Sequence, residues 1–78
     1  MGISERKERE REEMQQLILG AAHRLFLENG YDKTSIRAIA DAIEYSPATI
    51  YLYFKDKNEI FFELHAKAFQ ALREAFTP

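Results

Sequence analysis

Apolar residues recur along the chain at the three- and four-residue spacing of amphipathic helices, and no stretch shows the alternation of a strand. In the first such segment they form one stripe, made up of Met14, Leu17, Ile18, Ala21 and Leu25 and widened by Ala22 and Phe26. The stripe predicts a first helix with one buried face. Asn29-Gly30 should end it, because glycine readily adopts the left-handed conformation that follows many helices.

A second, short helix is predicted by another single apolar face, formed by Ile36, Ile39, Ala40 and Ile43. Thr34 and Ser35 are both candidate N-caps for it, because a hydroxyl oxygen can accept a hydrogen bond from a free amide of the first turn. Glu44-Tyr45 should form the turn that follows.

Ser46 and Pro47 predict the start of a third helix, since a serine cap followed by proline at the first helical position costs no backbone hydrogen bond. Ile50 and Phe54 lie one turn apart and should anchor this helix to the core.

Asp56 should open a fourth helix, and Glu59 three residues later makes the pair resemble a capping box. One predicted face of this helix carries Ile60, Leu64, Ala68 and Ala71. A second face carries Phe61, His65, Leu72 and Phe76. The sequence therefore predicts an all-α fold: three helices of helix-turn-helix type and the start of a fourth.

Charged residues are distributed unevenly along the chain. Residues 1–13 form a highly charged extension that alternates in sign from Ser4 to Glu13 and suits a solvated continuation of the first helix. The net charge of −2 leaves binding to nucleic acid open, because DNA affinity depends on which cations approach the phosphates. Between Tyr45 and Lys57 the only acid is Asp56, so the distribution of charge favours DNA mildly.

Composition narrows the possible functions further. The 78 residues suit one small domain, and the chain has no cysteine, no secretory leader pattern and no apolar run of membrane-spanning length, so we expect a cytoplasmic protein. His23 and His65 lie outside any metal-binding spacing, and the sequence has neither a glycine-rich phosphate loop nor a nucleophile motif. We therefore expect no enzyme activity, no cofactor and no metal.

Two short helices separated by a few residues are typical of a helix-turn-helix, whose second helix presents its N-terminal residues to base edges in the major groove. Pro47, Ala48 and Thr49 would occupy those positions. Tyr51 and Leu52 fall outside the inward face defined by the third helix, and a tyrosine hydroxyl is a good phosphate donor.

Two alternatives remain open for this aromatic segment. Taken alone, the run Tyr51, Tyr53 and Phe54 is more typical of a core than of a DNA contact, and the spacing leaves the orientation of Tyr53 ambiguous. Exposed Tyr51, Leu52 and Phe61 could also belong to a helical module that docks another protein.

Several pieces of sequence recur together here in a fixed order: Leu25-Phe26, Gly30-Tyr31, Thr34, the run Ile36 to Ala40, and the segment Thr49 to Lys57 followed by Glu59. In this order and spacing, the stretch from Leu17 to Phe62 resembles the DNA-binding domain of TetR-family transcriptional regulators. The resemblance places that domain at residues 14–56. Residues 57–78 would then lead to a further helical domain, absent from this chain, that binds an inducer and forms the dimer.

The resemblance implies double-stranded operator DNA as the partner, with a palindromic sequence bound by the dimer. It implies base or groove contacts by Arg37, Pro47, Ala48, Thr49 and Leu52. It implies phosphate contacts by Thr34, Ser35, Ser46, Tyr51, Tyr53 and Lys57. The complete protein would be a repressor released by a small-molecule inducer.

The sequence departs from the family pattern at two places. Glu44 stands where the turn usually has glycine, so the turn must adopt another conformation or tolerate strain. Pro47 and Ala48 stand where the start of the helix often has a polar or basic residue and a glycine, and neither has a side-chain donor, which limits hydrogen-bonded base readout. The aromatic face of the fourth helix is expected either to be covered by a following domain or to close on the first helix; that face comprises Phe61, His65, Phe69 and Phe76.

Overall fold

A computed structural model describes the backbone of residues 3–76 and the side chains of residues 6–66. Every regular element within these bounds is helical, which confirms the predicted all-α class. The four helices are α1 (Ile3–Asn29), α2 (Ile36–Ala42), α3 (Pro47–Tyr51) and α4 (Lys57–Phe76). The side chains of Ala68, Phe69, Ala71, Leu72 and Phe76 lie outside the described residues, so the two predicted faces of α4 can be followed only as far as His65.

Helix α1 is continuous from Ile3 through the charged upstream segment to Asn29. The side chains from Arg6 to Glu13 are exposed, and the first half-buried one is Met14. The helix ends as the sequence predicts: Gly30 has a φ of 89°, and its amide donates to the carbonyl of Phe26 at 2.9 Å. That bond satisfies one of the carbonyls that a helix leaves free at its end.

The core forms where the three later elements pack against one side of α1. Its buried apolar side chains are Ile18, Leu19, Ala22, Ile39, Ala40, Ile50, Phe54 and Ile60. The prediction that Leu17 belongs to the buried stripe is wrong, since Leu17 is 46% exposed whereas Leu19 is buried. Leu17 and Leu19 flank Ile18 on opposite sides of the helix, and the other helices pack over the side that carries Leu19. Leu17 lies instead at the rim of a groove beside Ala42 and Ile43.

Of the two candidate caps for α2, Ser35 is the N-cap. Its hydroxyl oxygen accepts a hydrogen bond from the amide of Ala38 at 3.0 Å, and its backbone is extended. Thr34 precedes the helix and is buried, so its side chain belongs to the packing beneath the cap rather than to the cap.

The turn after α2 places Glu44 in the left-handed conformation, with a φ of 62°. The amide of Glu44 donates to the carbonyl of Asp41 at 3.1 Å, and the amide of Tyr45 donates to that of Ala40 at 2.9 Å. These two bonds are those of a Schellman motif, in which the residue at the Glu44 position is most often glycine. The turn therefore keeps the geometry that glycine favours and bears the strain of a side chain there.

Helix α3 begins at Pro47 after an extended Ser46, as predicted, although the Ser46 side chain makes no capping bond to the helix backbone. Helix α4 begins after Asp56, whose carboxylate accepts from the amide of Glu59 at 2.9 Å. The Glu59 carboxylate accepts from the amide of Lys55 at 3.4 Å, one residue earlier than the cap amide in a regular capping box. Both helix starts are thus fixed by residues that the sequence identifies.

Aromatic packing joins the end of α1 to the start of α4. The Tyr31 ring lies between Phe26 and Phe61, with ring centroids 5.3 Å and 5.1 Å away, and His65 stacks beside Phe61 at 4.3 Å. The Tyr31 hydroxyl also donates to the side-chain carbonyl of Asn58. For Phe61, closure on the first helix is therefore observed, although part of its ring stays exposed.

Candidate nucleic-acid interface

Helices α2 and α3 pack against each other across the Glu44 turn, α2 also packs on α1, and Ile50 of α3 joins the common buried core. Ile39 and Ala40 fix α2, while Ile50 on α3 and Phe54 just after it fix the second element. Only five residues long, α3 has one inward side chain that is fully buried, Ile50. Of its other side chains, Ala48 and Tyr51 are exposed and therefore accessible to a partner.

The outward surface of α3 carries large side chains that the fold leaves unburied. Tyr51 is 55% exposed and Leu52 is 74% exposed. Tyr53 is half-buried and packs against the core, which resolves the ambiguity of its sequence position. The aromatic run is thus divided, because Phe54 and part of Tyr53 support the fold while Tyr51 faces solvent.

The N-terminal end of α3 is small and partly polar. Ala48 is exposed, and Pro47 and Thr49 are half-buried. The hydroxyl groups of Ser46 and Thr49 lie 3.3 Å apart and share a hydrogen bond. Since one bond between two hydroxyls uses one donor, the other O–H remains free to donate to a phosphate oxygen.

Helix α2 contributes an exposed cation and a hydroxyl at its start. The Arg37 guanidinium projects from an exposed position in the first turn of α2, two residues after the Ser35 cap. The Ser35 oxygen acts as an acceptor within the cap, which leaves its O–H available as a donor. Both groups are therefore free to make the contacts expected of them.

Thr34 does not have the exposure that the expected phosphate contact requires. Its side chain is 1% exposed, and its hydroxyl donates to the carbonyls of Gly30 at 2.8 Å and Leu25 at 3.2 Å. The single O–H is used inside the protein to hold the end of α1 to the start of α2. The phosphate contact predicted for Thr34 is therefore corrected to a structural role.

Lys57 is half-buried and held against the loop that follows α1. Its ammonium donates to the carbonyl of Tyr31 at 2.7 Å and lies 4.1 Å from the centroid of the Tyr31 ring. An ammonium has three N–H donors, so this contact leaves others for an external acceptor. The expected phosphate contact by Lys57 is compatible with this position.

Sequence reasoning overlooked two cations on the charged extension. Lys7 and Arg11 line a shallow cleft of about 290 Å³ together with Glu10, Leu52 and Tyr53, so the start of α1 borders the exposed end of α3. Helical phase could have identified them, because positions 7 and 11 lie on the same side of a helix as the stripe that begins at Met14.

The residues described form neither a metal-binding cluster nor a membrane-spanning helix. Within this part of the chain, no group of three or more histidine, aspartate or glutamate side chains is placed to hold a metal ion. None of its helices combines the length and apolarity needed to cross a lipid bilayer.

A short exposed helix, held by a tight turn on a second helix and by buried anchors on a third, defines a helix-turn-helix protein. The model of the tetR family of bacterial regulatory proteins matches residues 18–64, and the chain belongs to that family. The matched region contains α2, α3 and the turn between them, together with the C-terminal part of α1 and the first part of α4.

Relatives of known name are transcriptional regulators. The chain is 45% identical over 47 residues to the HTH-type transcriptional repressor Rv1474c of Mycobacterium tuberculosis, covering 60% of this chain and 25% of that protein. It is 37% identical over 62 residues to the HTH-type transcriptional regulator AcrR of Shigella flexneri, covering 80% and 29%. It is 40% identical over 47 residues to the HTH-type transcriptional regulator QacR of Staphylococcus aureus, covering 60% and 25%. The chain thus spans about a quarter of the length of these relatives.

Proposed function

We propose that this chain is the sequence-specific DNA-binding domain of a TetR-type transcriptional regulator, with α3 as the helix that enters the major groove. The observation that carries the proposal is the division of α3 into a buried anchor, Ile50, and an outward surface that exposes Ala48, Tyr51 and Leu52. A groove about 12 Å wide admits one helix, and its walls are rows of phosphates. Family membership supports this reading over a helical protein-docking module.

The side chains of this surface are assigned to base or phosphate contacts by their position and by the donors they carry. Base or groove contacts are assigned to Arg37, Pro47, Ala48, Thr49 and Leu52, which lie at the start of α2 or along α3. Phosphate contacts are assigned to groups with a free donor, namely Ser35, Ser46, Tyr51, Tyr53 and Lys57. Such contacts fix the register of the protein on the duplex without carrying sequence information.

Base readout at the start of α3 depends on close approach rather than on side-chain hydrogen bonds. Pro47 and Ala48 have no side-chain donor, and their small size allows the backbone to come near the base edges. Leu52 offers an apolar surface that suits the methyl group of thymine. Arg37 is the side chain in this set that can make a bidentate contact to guanine.

In the complete protein we infer a homodimer that places two such domains on a palindromic operator, about one helical turn or a multiple of it apart. Its role is regulatory rather than enzymatic. One of the relatives is named a transcriptional repressor, which supports repression, and we infer that a small-molecule inducer releases the DNA. We infer that it acts in the cytoplasm, where operator DNA would be bound.

Selection of bound duplexes from a random pool tests the proposal, followed by affinity measurements between 50 and 300 mM salt. We expect one enriched motif and an affinity that falls steeply with salt, because bound phosphates release counterions. Leu52→Ala should lower affinity for the enriched motif more than for a scrambled duplex, whereas Leu27→Ala, a matched change at an exposed leucine of α1, should leave both unchanged. No enrichment at any salt concentration would reject DNA recognition.

A further inference from the structure

The charged extension of α1 is not uniform around the helix. Lys7 and Arg11 precede Met14 and Ile18 at steps of four, three and four residues, so all four lie on one side of α1. Ile18 is buried and Met14 packs against the core from a half-buried position. The face that is apolar inside the domain therefore becomes basic where α1 extends beyond the core.

That basic face is turned towards the end of α3. Lys7 and Arg11 share a cleft with Leu52 and Tyr53, and both cations are exposed. Leu52 is 74% exposed on the surface proposed to meet the major groove. A duplex that covers Leu52 brings the phosphates at the wall of that groove next to the cleft.

Neither of these two cations forms an ion pair with a side chain of residues 6–66. Glu10 lines the same cleft, but its carboxylate Oε1 lies 4.0 Å from Arg6 Nε, in the ion pair found among the side chains of residues 6–66. Glu12 and Glu13 follow Arg11 directly, which places them about 100° and 200° away around the helix axis. The acids of the extension thus lie mainly to the sides of the basic face or behind it.

We propose that Lys7 and Arg11 form an additional phosphate-binding element, which grips the DNA backbone beside α3 independently of base sequence. This inference rests on the proposed DNA-binding function and extends the contact surface from the helix-turn-helix to the start of α1. Two flexible cations on a solvated helix suit phosphate rather than base recognition, since a point charge needs proximity and no fixed orientation.

The test compares the double variant Lys7→Gln/Arg11→Gln with Arg9→Gln/Arg24→Gln, which removes two exposed positive charges of α1 from outside the cleft and leaves Arg6 beside Glu10. Glutamine keeps helix propensity close to that of lysine and arginine. Affinity for the selected duplex and for a scrambled duplex is measured across a salt series. For Lys7→Gln/Arg11→Gln we expect the salt slope to fall by about 2 and affinity for both duplexes to fall about 30-fold near 0.15 M salt.

The control double variant should bind nearly as tightly as the parent chain. Equal losses in the two double variants would show a general charge effect and overturn the specific role of Lys7 and Arg11. Unchanged binding by Lys7→Gln/Arg11→Gln, with Leu52→Ala still impaired, would reject this element and leave the proposed function intact. Failure of the parent chain to bind any duplex would reject both, and circular dichroism of each variant checks that α1 is retained.

Discussion

The Lys57 ammonium donates to the backbone carbonyl of Tyr31 at 2.7 Å and also lies over the Tyr31 ring. The Lys57 side chain thus connects the start of α4 to the loop between α1 and α2, and this loop leads to the Ser35 cap. Because Lys57 is held in this way, we expect its ammonium to be in position before any DNA arrives, so that less side-chain entropy is lost if it binds a phosphate.

Lys57→Ala should therefore have two effects. Affinity for every duplex should fall by a similar factor and the salt slope should decrease by about 1, because a phosphate contact carries no sequence information. Stability should fall by roughly 1 kcal/mol through loss of the bond to Tyr31. Arg24→Ala, which removes an exposed cation of α1 outside the proposed contacts, serves as the control. An Arg24 variant with the same loss would contradict a local contact by Lys57.

Arg37→Ala should change sequence preference rather than affinity alone. If the guanidinium reaches a base edge, selection with the variant should relax the motif at one position and leave the others intact. Lys33→Ala removes an exposed cation shortly before α2 and should leave the motif unchanged. A uniform loss of affinity in the Arg37 variant would reassign this residue to the phosphate backbone.

Tyr51→Phe should weaken DNA binding without changing the fold, because the Tyr51 side chain is more than half exposed. The variant loses one hydrogen bond to a charged oxygen, which contributes roughly 1.5–3 kcal/mol. Tyr45→Phe removes a comparably exposed hydroxyl from outside the contact set and should bind normally. Unchanged affinity of the Tyr51 variant for the selected duplex would remove Tyr51 from the interface.

Thr34→Val should destabilise the domain by about 1–3 kcal/mol, because the partly buried carbonyls of Gly30 and Leu25 lose their side-chain donor. Thr34→Ser keeps the hydroxyl and should recover much of that loss. Thermal unfolding measures both. DNA affinity of the folded Val variant should match that of the parent chain, and a selective loss of affinity without a loss of stability would restore Thr34 as a phosphate contact.

Glu44→Gly should raise stability relative to Glu44→Ala by about 1 kcal/mol, because glycine adopts a φ of 62° without the steric cost of a Cβ atom. Both variants remove the same charge, so their difference isolates the backbone conformation. Urea unfolding at constant pH gives the comparison. An alanine variant as stable as the glycine variant would show that the turn relaxes to another conformation.

Local signals in the sequence were sufficient for the architecture. Each helix has a boundary residue with a specific backbone role, such as Gly30 after α1, Ser35 before α2 and Pro47 at the first position of α3. The one-turn spacing of Ile50 and Phe54 predicts both as anchors, and both are buried. These features depend on neighbours a few residues away, and they are therefore readable from the chain itself.

Features that depend on packing were harder to predict. Thr34 and Ser35 are adjacent hydroxyl residues with similar capping chemistry, and only the tertiary fold buries one and exposes the other. Leu17 and Leu19 are separated in the same way by the direction from which the other helices approach. Lys7 and Leu52 line the same cleft although they are 45 positions apart. Periodicity within α1 predicts which side of the helix carries Lys7, but it does not predict which segment lies opposite.

Helix α1 is continuous, so a tilt about its buried section in the core moves both of its ends. At one end Phe26 touches the aromatic packing around Tyr31, and at the other Lys7 borders the proposed duplex surface. Lys7 lies about 16 Å from Ile18 along a helix that rises 1.5 Å per residue. A tilt of about 5° around Ile18 therefore displaces Lys7 by more than 1 Å, enough to strain a phosphate hydrogen bond. We therefore expect a tilt of α1 imposed near Phe26 to weaken the phosphate contact proposed for Lys7 without any helix unfolding.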